Sequence, residues 1–349
     1  MNKTLLDNLI ERTIVPSFSS VGARIRKRLF NWSELESYDL QGHVTVITGG
    51  TSGIGKHAAL LYAQLGATLV IVGRDKRKTE LLVEKLKKDT DNESIFSVIG
   101  DLGLREDVHQ IASEIASRFP IIHILAHNAG ALFNTRKRAT NGTDLGVELM
   151  VSTPFLLTGL LLPQLIAAST QQTASKAAIS ASQNYLYQPA RVLTMSSGGM
   201  YTESLTVSGL EMDDDNYQGA QQYARAKRAQ VVLNEMWAER VPANNVVFHS
   251  LHPGWVKTPG ITEALPGFSK ILSPLGLLRT PREGADSLVW LSADKKAKSY
   301  TGKFWHDRAI RAIDMSNKTR QADTPERRAR LWLWCENKTD WHFGNFTFN

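Results

Sequence analysis

Tyr223 and Lys227 lie four residues apart in the stretch "QQYARAKRAQ", and two adjacent serines, Ser196 and Ser197, precede them in "LTMSSGGM". On a helix a spacing of four puts the phenol and the ammonium on one face, a turn apart. A phenol by itself titrates at about 10, too high for a base near neutrality. A cation beside it favours the phenolate, so the pair could take a proton from a substrate oxygen or return one to it. The same two residues could equally be plain neighbours on a helix surface. What surrounds them in the chain decides.

From His43 onward the apolar pattern switches regularly between strand and helix. "HVTVITGG", "TLVIVG", "SIFSVIGDL", "IHILAHNAG", "ARVLTMSS" and "NVVFHSLHPG" read as strands, and "GKFWHD" as a last short one. Between them run helices, among them "IGKHAALLYAQLG", the long apolar "LMVSTPFLLTGLLLPQLIAA" and "YARAKRAQVVLNEMWAERV". Strands apolar almost throughout are buried on both faces. Right-handed βαβ crossovers then predict an α/β fold: a Rossmann-type doubly wound parallel sheet, helices on both faces, about seven strands in the order 3-2-1-4-5-6-7. In such sheets ligands bind beyond the carboxyl ends of the strands.

The chemistry-bearing residues fall at those ends. After the first strand comes "TGGTSGIG", where Gly49, Gly53 and Gly55 flank Thr51, Ser52 and Ile54. Glycines there permit a tight turn and bring backbone N–H groups and a helix N-terminus close to a diphosphate. After the second strand stands Arg74, where an NAD site tends to place an acid; a guanidinium suits a 2'-phosphate, which favours NADP(H). Asp101 and Leu102 after the third strand could contact adenine. Asn128 after the fourth could tie neighbouring backbones together, with Ala129 and Gly130 leaving room for a cofactor to pass. The Ser196–Ser197 pair ends the fifth. After the sixth, Pro253 and Gly254 make a turn and Thr258 could meet the nicotinamide carboxamide.

The glycine turn, "NAG", a serine followed by Y-x-x-x-K, and P-G-x-x-x-T, in that order, resemble the short-chain dehydrogenase/reductase (SDR) family from about Val44 to Arg311. A closer likeness, to the family member 12 group and to retinol-dehydrogenase-like reductases, is carried by "VLTMSSGGM", "YARAKRAQVVLNEMWAE" and "HSLHPGWVKTPGITEALPGFSK". The resemblance implies hydride transfer between a nicotinamide and an alcohol or carbonyl carbon. Tyr223 would then be the acid or base, Lys227 would support it and hold the nicotinamide ribose, and Ser197 would polarise the substrate oxygen, Ser196 being the neighbouring alternative. The family usually carries a further Asn in the long helix after the fourth strand, and this chain has Met150 there; a thioether cannot relay a proton. An NADP(H)-binding sensor or interaction protein with little turnover is therefore the alternative reading. His127, in place of the first Asn of the more frequent N-N-A-G, reads as structural.

Residues 42–312 form the expected catalytic domain. Within it, 258–281 occupy the family's substrate-loop position, and their apolar composition predicts a lid over an apolar alcohol or carbonyl compound, retinoid-, steroid- or lipid-like; a rigid helix closing the core is the alternative. Residues 1–41 are an extension in which Val21, Ile25, Leu29 and Trp32 recur at helical spacing among Arg24, Arg26, Lys27 and Arg28. Such a helix could lie on an anionic membrane or pack on its own domain. Residues 313–349 read as a helix and an aromatic tail. Family habit suggests homo-oligomers through the long helices after strands four and five, with the insertion Ser169 to Pro189 as an obstacle.

Composition narrows the classes. The net charge is +7, with 42% apolar and 21% charged residues. No nucleic-acid module accompanies that charge, so it reads as a basic enzyme surface without a nucleic-acid partner. No run approaches the roughly 18 apolar residues of a membrane span, and no secretory signal opens the chain. The single cysteine, Cys335, rules out an internal disulfide and a Cys-based zinc site, and no metal is expected. A cytoplasmic enzyme, or one peripheral to a membrane, is the expected setting.

Overall fold

The structure, a computed structural model, describes residues 3–170, 188–264 and 266–346. Most of the Ser169–Pro189 insertion, and Leu265 in the expected lid, lie outside the described residues.

Three short helices open the chain: α1 (Lys3–Glu11), α2 (Ile14–Phe18) and α3 (Ser20–Leu29). Strands and helices then alternate: β1 (Val44–Thr48), α4 (Gly53–Gln64), β2 (Thr68–Gly73), α5 (Lys76–Thr90), β3 (Ile95–Ile99), α6 (Arg105–Arg118) and β4 (Ile124–His127). The helical segment after β4 comprises α7 (Leu145–Val147), a π-turn over Glu148–Ser152, α8 (Thr153–Leu160) and α9 (Leu162–Thr170). There follow β5 (Ala190–Met195), α10 (Gly219–Arg240), β6 (Val246–His252), α11 (Pro259–Ala264), α12 (Pro266–Leu272), α13 (Pro281–Ala293), β7 (Lys303–His306), β8 (Ala309–Arg311), α14 (Asn317–Ala322) and α15 (Pro325–Thr339).

The strands form one sheet in the order β3-β2-β1-β4-β5-β6-β7-β8. The first seven agree with the expected order and run parallel. β8 is an addition the sequence reading did not foresee, paired antiparallel to β7 through Trp305 and Ile310. It is short, and its hairpin turn is Asp307-Arg308 rather than a glycine pair. Both residues have positive φ, 52° and 58°, as a two-residue hairpin requires.

Alternation along each strand feeds two cores. Val46 and Val70 face one, with α6, α8 and α10; Ile47 and Ile71 face the other, with α4, α5 and α13. This two-sided burial keeps the carboxyl ends of six strands in register at one edge. The long apolar helix expected after β4 is broken: it bends by 54° between Leu160 and Leu162, just before Pro163, whose ring cannot continue the hydrogen-bond ladder.

Both chain ends dock on the domain. In α3 the expected apolar stripe is turned outward, with Val21 and Ile25 exposed, while Gly22, Ala23 and Arg26 are buried. A side chain on Gly22 would overlap the Pro16 carbonyl, so α2 and α3 touch backbone to backbone. Arg26 donates to Asp7 (2.8 Å) and Asp307 (2.7 Å), and Asp307 also accepts from Arg279 (2.5 Å). The carbonyls of Ser17, Phe18 and Ser19 accept from Arg279 as well. At the other end, Trp332 and Trp341 of the C-terminal segment pack with Phe155 and Trp237. Trp341 lies where a side chain on Gly159 would stand. The faces of α8 and α10 expected to pair with another subunit are thus partly covered by the chain's own C-terminus.

Candidate active site

The expected stations converge on one cavity of about 460 Å³ beyond the strand ends. Its wall includes Gly49, Thr51, Ser52, Gly53, Ile54, Gly55, Arg74, Asp101, Leu102, Asn128, Ala129, Gly130, Ser197, Tyr223, Lys227, Pro253, Gly254 and Thr258.

The glycine turn is tight enough to exclude side chains. Gly49 has φ of +67°, and a Cβ on it would stand 2.9 Å from the Ala129 Cα. A Cβ on Gly55 would lie 2.3 Å from the Gly49 carbonyl oxygen and 2.4 Å from Asn128 Nδ2. Asn128 ties the ends of β1 and β4 together: its Nδ2 donates to the carbonyls of Thr48 (3.1 Å) and Gly49 (3.2 Å). The N-terminus of α4 opens on the cavity at this turn, a cradle suited to a diphosphate.

Arg74 is exposed at the cavity edge. Asp101 is partly engaged in its own loop, accepting from Gly103 N (2.8 Å), while the Leu102 carbonyl accepts from the Thr153 hydroxyl (2.6 Å). On the other rim, Gly254 has φ of +78°, and its Cβ position is filled by the Arg279 side chain. The Thr258 methyl lies 3.4 Å from a Cβ built on Gly53, so this loop closes against the glycine turn.

Tyr223, Lys227 and the Ser196–Ser197 pair meet at the inner end. Tyr223 and Lys227 share one face of α10, and Ser197 lines the same cavity wall, near enough to the Tyr223 hydroxyl to favour its ionised form. Ser197 begins a helical turn over Gly198–Thr202, where its Oγ accepts from Gly199 N (3.2 Å). Ser196 is separated from it by role: buried, it donates to the Lys227 carbonyl (3.1 Å), fastening the end of β5 to α10. Lys227 donates through Nζ to the Met195 carbonyl (2.7 Å).

The electrostatics differ from the simple expectation. Burial pushes the phenol up to about 12, and the opposing influence comes from Ser197 rather than from the lysine. Burial also pulls the lysine down to about 7, so part of its charge is lost at neutrality. The cation that was to favour phenolate is itself desolvated.

Met150 sits in the π-turn, almost wholly buried. Its Cγ and Sδ lie 3.3 and 3.4 Å from a Cβ built on Gly130, and Lys227 Nζ lies 3.3 Å from the same point. Met150 and Lys227 thus both border Gly130, and the side chain that Met150 brings there is a weakly accepting thioether. His127 is buried against the Thr158 hydroxyl (2.8 Å), and burial lowers its pKa to about 3, the position of a structural side chain.

The sequence reading missed the apolar wall of Leu132, Phe133, Leu149 and Trp255, and it missed His252 beneath the site. Leu132, Phe133 and Trp255 sit in loops without periodicity, and Leu149 lies in the π-turn of the apolar helical segment after β4. A histidine directly before the Pro-Gly turn was the one visible sign of the latter.

Comparison with known proteins accords with this geometry. Residues 43–188 match the short chain dehydrogenase family model. The chain is 33% identical to Dehydrogenase/reductase SDR family member 12 of Homo sapiens over 77% of its own length and 78% of that protein's. It is 26% identical to Retinol dehydrogenase 11 of Mus musculus, over 82% and 84% of the two chains. Among solved structures, L-sorbose reductase from Gluconobacter frateurii, complexed with NADPH and L-sorbose, shares the fold with a TM-score of 0.58, at 21% identity over 77% of this chain and 95% of that one. The chain belongs to the short-chain dehydrogenase/reductase family. It is an NAD(P)-dependent oxidoreductase of that type.

Proposed function

We propose that the protein uses NADP(H) to interconvert an apolar alcohol and its carbonyl compound. The observation that carries the reading is the meeting of Tyr223, Ser197 and Lys227 at the inner end of a cavity whose outer end is a glycine turn. The turn from Gly49 to Gly55 and the N-terminus of α4 would hold the diphosphate, Arg74 a 2'-phosphate, Asp101 and Leu102 the adenine, and Asn128 to Gly130 and Lys227 the inner half, with Thr258 at the carboxamide. When bound, the nicotinamide supplies or accepts the hydride. Tyr223 then gives its hydroxyl proton to the carbonyl oxygen, or takes it back from the alcohol, while Ser197 Oγ holds that oxygen.

Leu132, Phe133, Leu149 and Trp255 in the wall favour an apolar substrate. The 258–281 segment serves as its cover: it forms two short helices, its Ile271 and Leu275 are exposed, and its two ends are joined where Lys257 N donates to the Arg279 carbonyl (2.9 Å). The similarity to a protein named for retinol points the same way. The test is NADPH-linked reduction of a panel of carbonyl compounds. Long-chain, retinoid or steroid carbonyls should be reduced at least tenfold more efficiently than polar sugars, given about 1–3 kcal/mol per apolar contact group. The reverse ranking would overturn the substrate class.

Met150 favours a second reading, an NADP(H)-binding sensor with little turnover. Exposed Leu5, Leu9, Ile14, Val15, Val21 and Ile25, with exposed Arg12, Arg24 and Arg28 among them, support peripheral contact with an anionic membrane. Co-sedimentation with anionic but not neutral vesicles tests that contact.

A further inference from the structure

His252, the last residue of β6, lies under the reacting groups and is almost wholly buried. Its Nδ1 accepts two backbone N–H bonds, from Gly198 (3.1 Å) and from Gly254 (3.2 Å). Gly198 directly follows Ser197, and Gly254 belongs to the turn on the cofactor side. A ring nitrogen that accepts carries no proton, so the imidazole is neutral with its hydrogen on Nε2. Burial, with His306 and Arg279 close by, holds its pKa well below the ordinary value, so the acceptor persists through the neutral range.

The ring itself is clamped. Phe18 meets it edge-on at 4.4 Å and His306 stacks on it at 4.7 Å. Phe18 in turn is fixed through its carbonyl, which accepts from Trp255 N (2.8 Å) and Arg279 Nε (3.2 Å). No slack remains at the joint: a Cβ on Gly198 would stand 2.9 Å from both His252 Nε2 and a Phe18 ring carbon.

We propose that His252 is the positioning residue of this site: its Nδ1 pins the Ser197 loop and the Pro253–Gly254 turn to a common point, and Phe18 of the N-terminal segment holds the ring there. The segment before the catalytic domain is then part of the machinery that places Ser197. The catalytic part of this inference rests on the role given to Ser197 above, whereas the pinning does not.

The experiment compares wild type with His252→Asn, His252→Gln and His252→Leu. Amide hydrogen exchange is read at Gly198 and Gly254, and kcat and KM are measured for NADPH-linked carbonyl reduction. The Asn Oδ1 is bonded to the same Cγ position as Nδ1, whereas a Gln acceptor is one methylene further out. Losing a hydrogen bond of ordinary strength should speed exchange about tenfold at each amide in the Gln and Leu variants, with kcat falling by about tenfold or more and KM moving less. The Asn variant should stay within about threefold of wild type on every measure. Phe18→Ala should move the same readouts in the same direction, by a smaller factor. Unchanged exchange in the Leu variant, or an Asn variant as impaired as Gln, contradicts the proposal. Should the Leu variant fail to fold, the Asn–Gln contrast carries the test. If wild type reduces no carbonyl compound, the assigned reaction falls, while the exchange data still decide whether His252 pins the two loops.

Discussion

Lys227 Nζ stands 5.4 Å from the centre of the Tyr223 ring, yet its hydrogen bond goes to the Met195 carbonyl. Burial holds the phenol's pKa up at about 12, which keeps its proton on at neutral pH, the state that an acid in carbonyl reduction requires, and Ser197 is the group that opposes this. The lysine, for its part, is held in a place that disfavours its charge.

That burial predicts a pH-dependent stability. The folded lysine titrates at about 7 against an ordinary 10.5, so between these values the unfolded chain binds more protons. Stability contributed by this group rises with pH across that window and is lowest below it. Lys227→Met should therefore unfold at a higher temperature than wild type at about pH 6, and the gap should narrow towards about pH 9. Thermal unfolding at a series of pH values checks this; a variant less stable than wild type at the acid end speaks against it.

Arg74, exposed at the cavity edge, is the proposed partner of a 2'-phosphate. Arg74→Ala should weaken NADPH binding by roughly tenfold to a hundredfold, the loss of a charge-assisted bond of about 1.5–3 kcal/mol, with NADH affinity little changed. Fluorescence titration with both nucleotides decides, and equal losses for the two would remove Arg74 from the 2'-phosphate.

Met150 separates a weakened enzyme from a sensor. If turnover is limited by the missing amide, Met150→Asn should raise kcat by about tenfold or more, within the span attributed to proton-transfer groups. An unchanged kcat with tight NADPH binding retained favours the sensor.

Asp307 lies between Arg26 and Arg279. Burial alone would raise its pKa, but Arg279, His306 and Arg26 hold it far below the usual carboxylate range. Asp307→Asn would leave two buried guanidiniums without their shared anion, at a cost on the order of 3 kcal/mol. It should lower the urea midpoint and loosen the N-terminal segment together with residues 258–281, as amide exchange would reveal. A midpoint equal to that of wild type would mean that the cluster does not hold these segments.

Much of this was legible in the chain because one physical rule applied repeatedly. Each of the six strands was apolar over most of its length and was followed by a residue that could face a ligand, so strand order and the cavity followed together. The residues alone left Ser196 beside Ser197 as an alternative, the resemblance favouring Ser197; in the structure the Ser196 hydroxyl turns away to the Lys227 carbonyl. The outward turn of Val21 and Ile25 was hidden because an arginine, Arg26, takes the inner face, where the carboxylates of Asp7, Glu11 and Asp307 neutralise it. β8 escaped notice because two non-glycine residues adopt left-handed backbone conformations, held there by long-range ion pairs: Asp307 with Arg26 and Arg279, and Arg308 with Asp286. Trp332 and Trp341 could have faced a membrane, a partner or the core, and contacts with Phe155 and Trp237 put them in the core.

The most direct test is Tyr223→Phe, which removes one hydroxyl and keeps the ring. Steady-state oxidation of NADPH with the best carbonyl substrate, measured beside NADPH affinity, should show kcat lower by about a hundredfold to ten-thousandfold and an affinity within a few-fold of wild type. A Phe variant that turns over at the wild-type rate would contradict the assignment of Tyr223 as the proton donor.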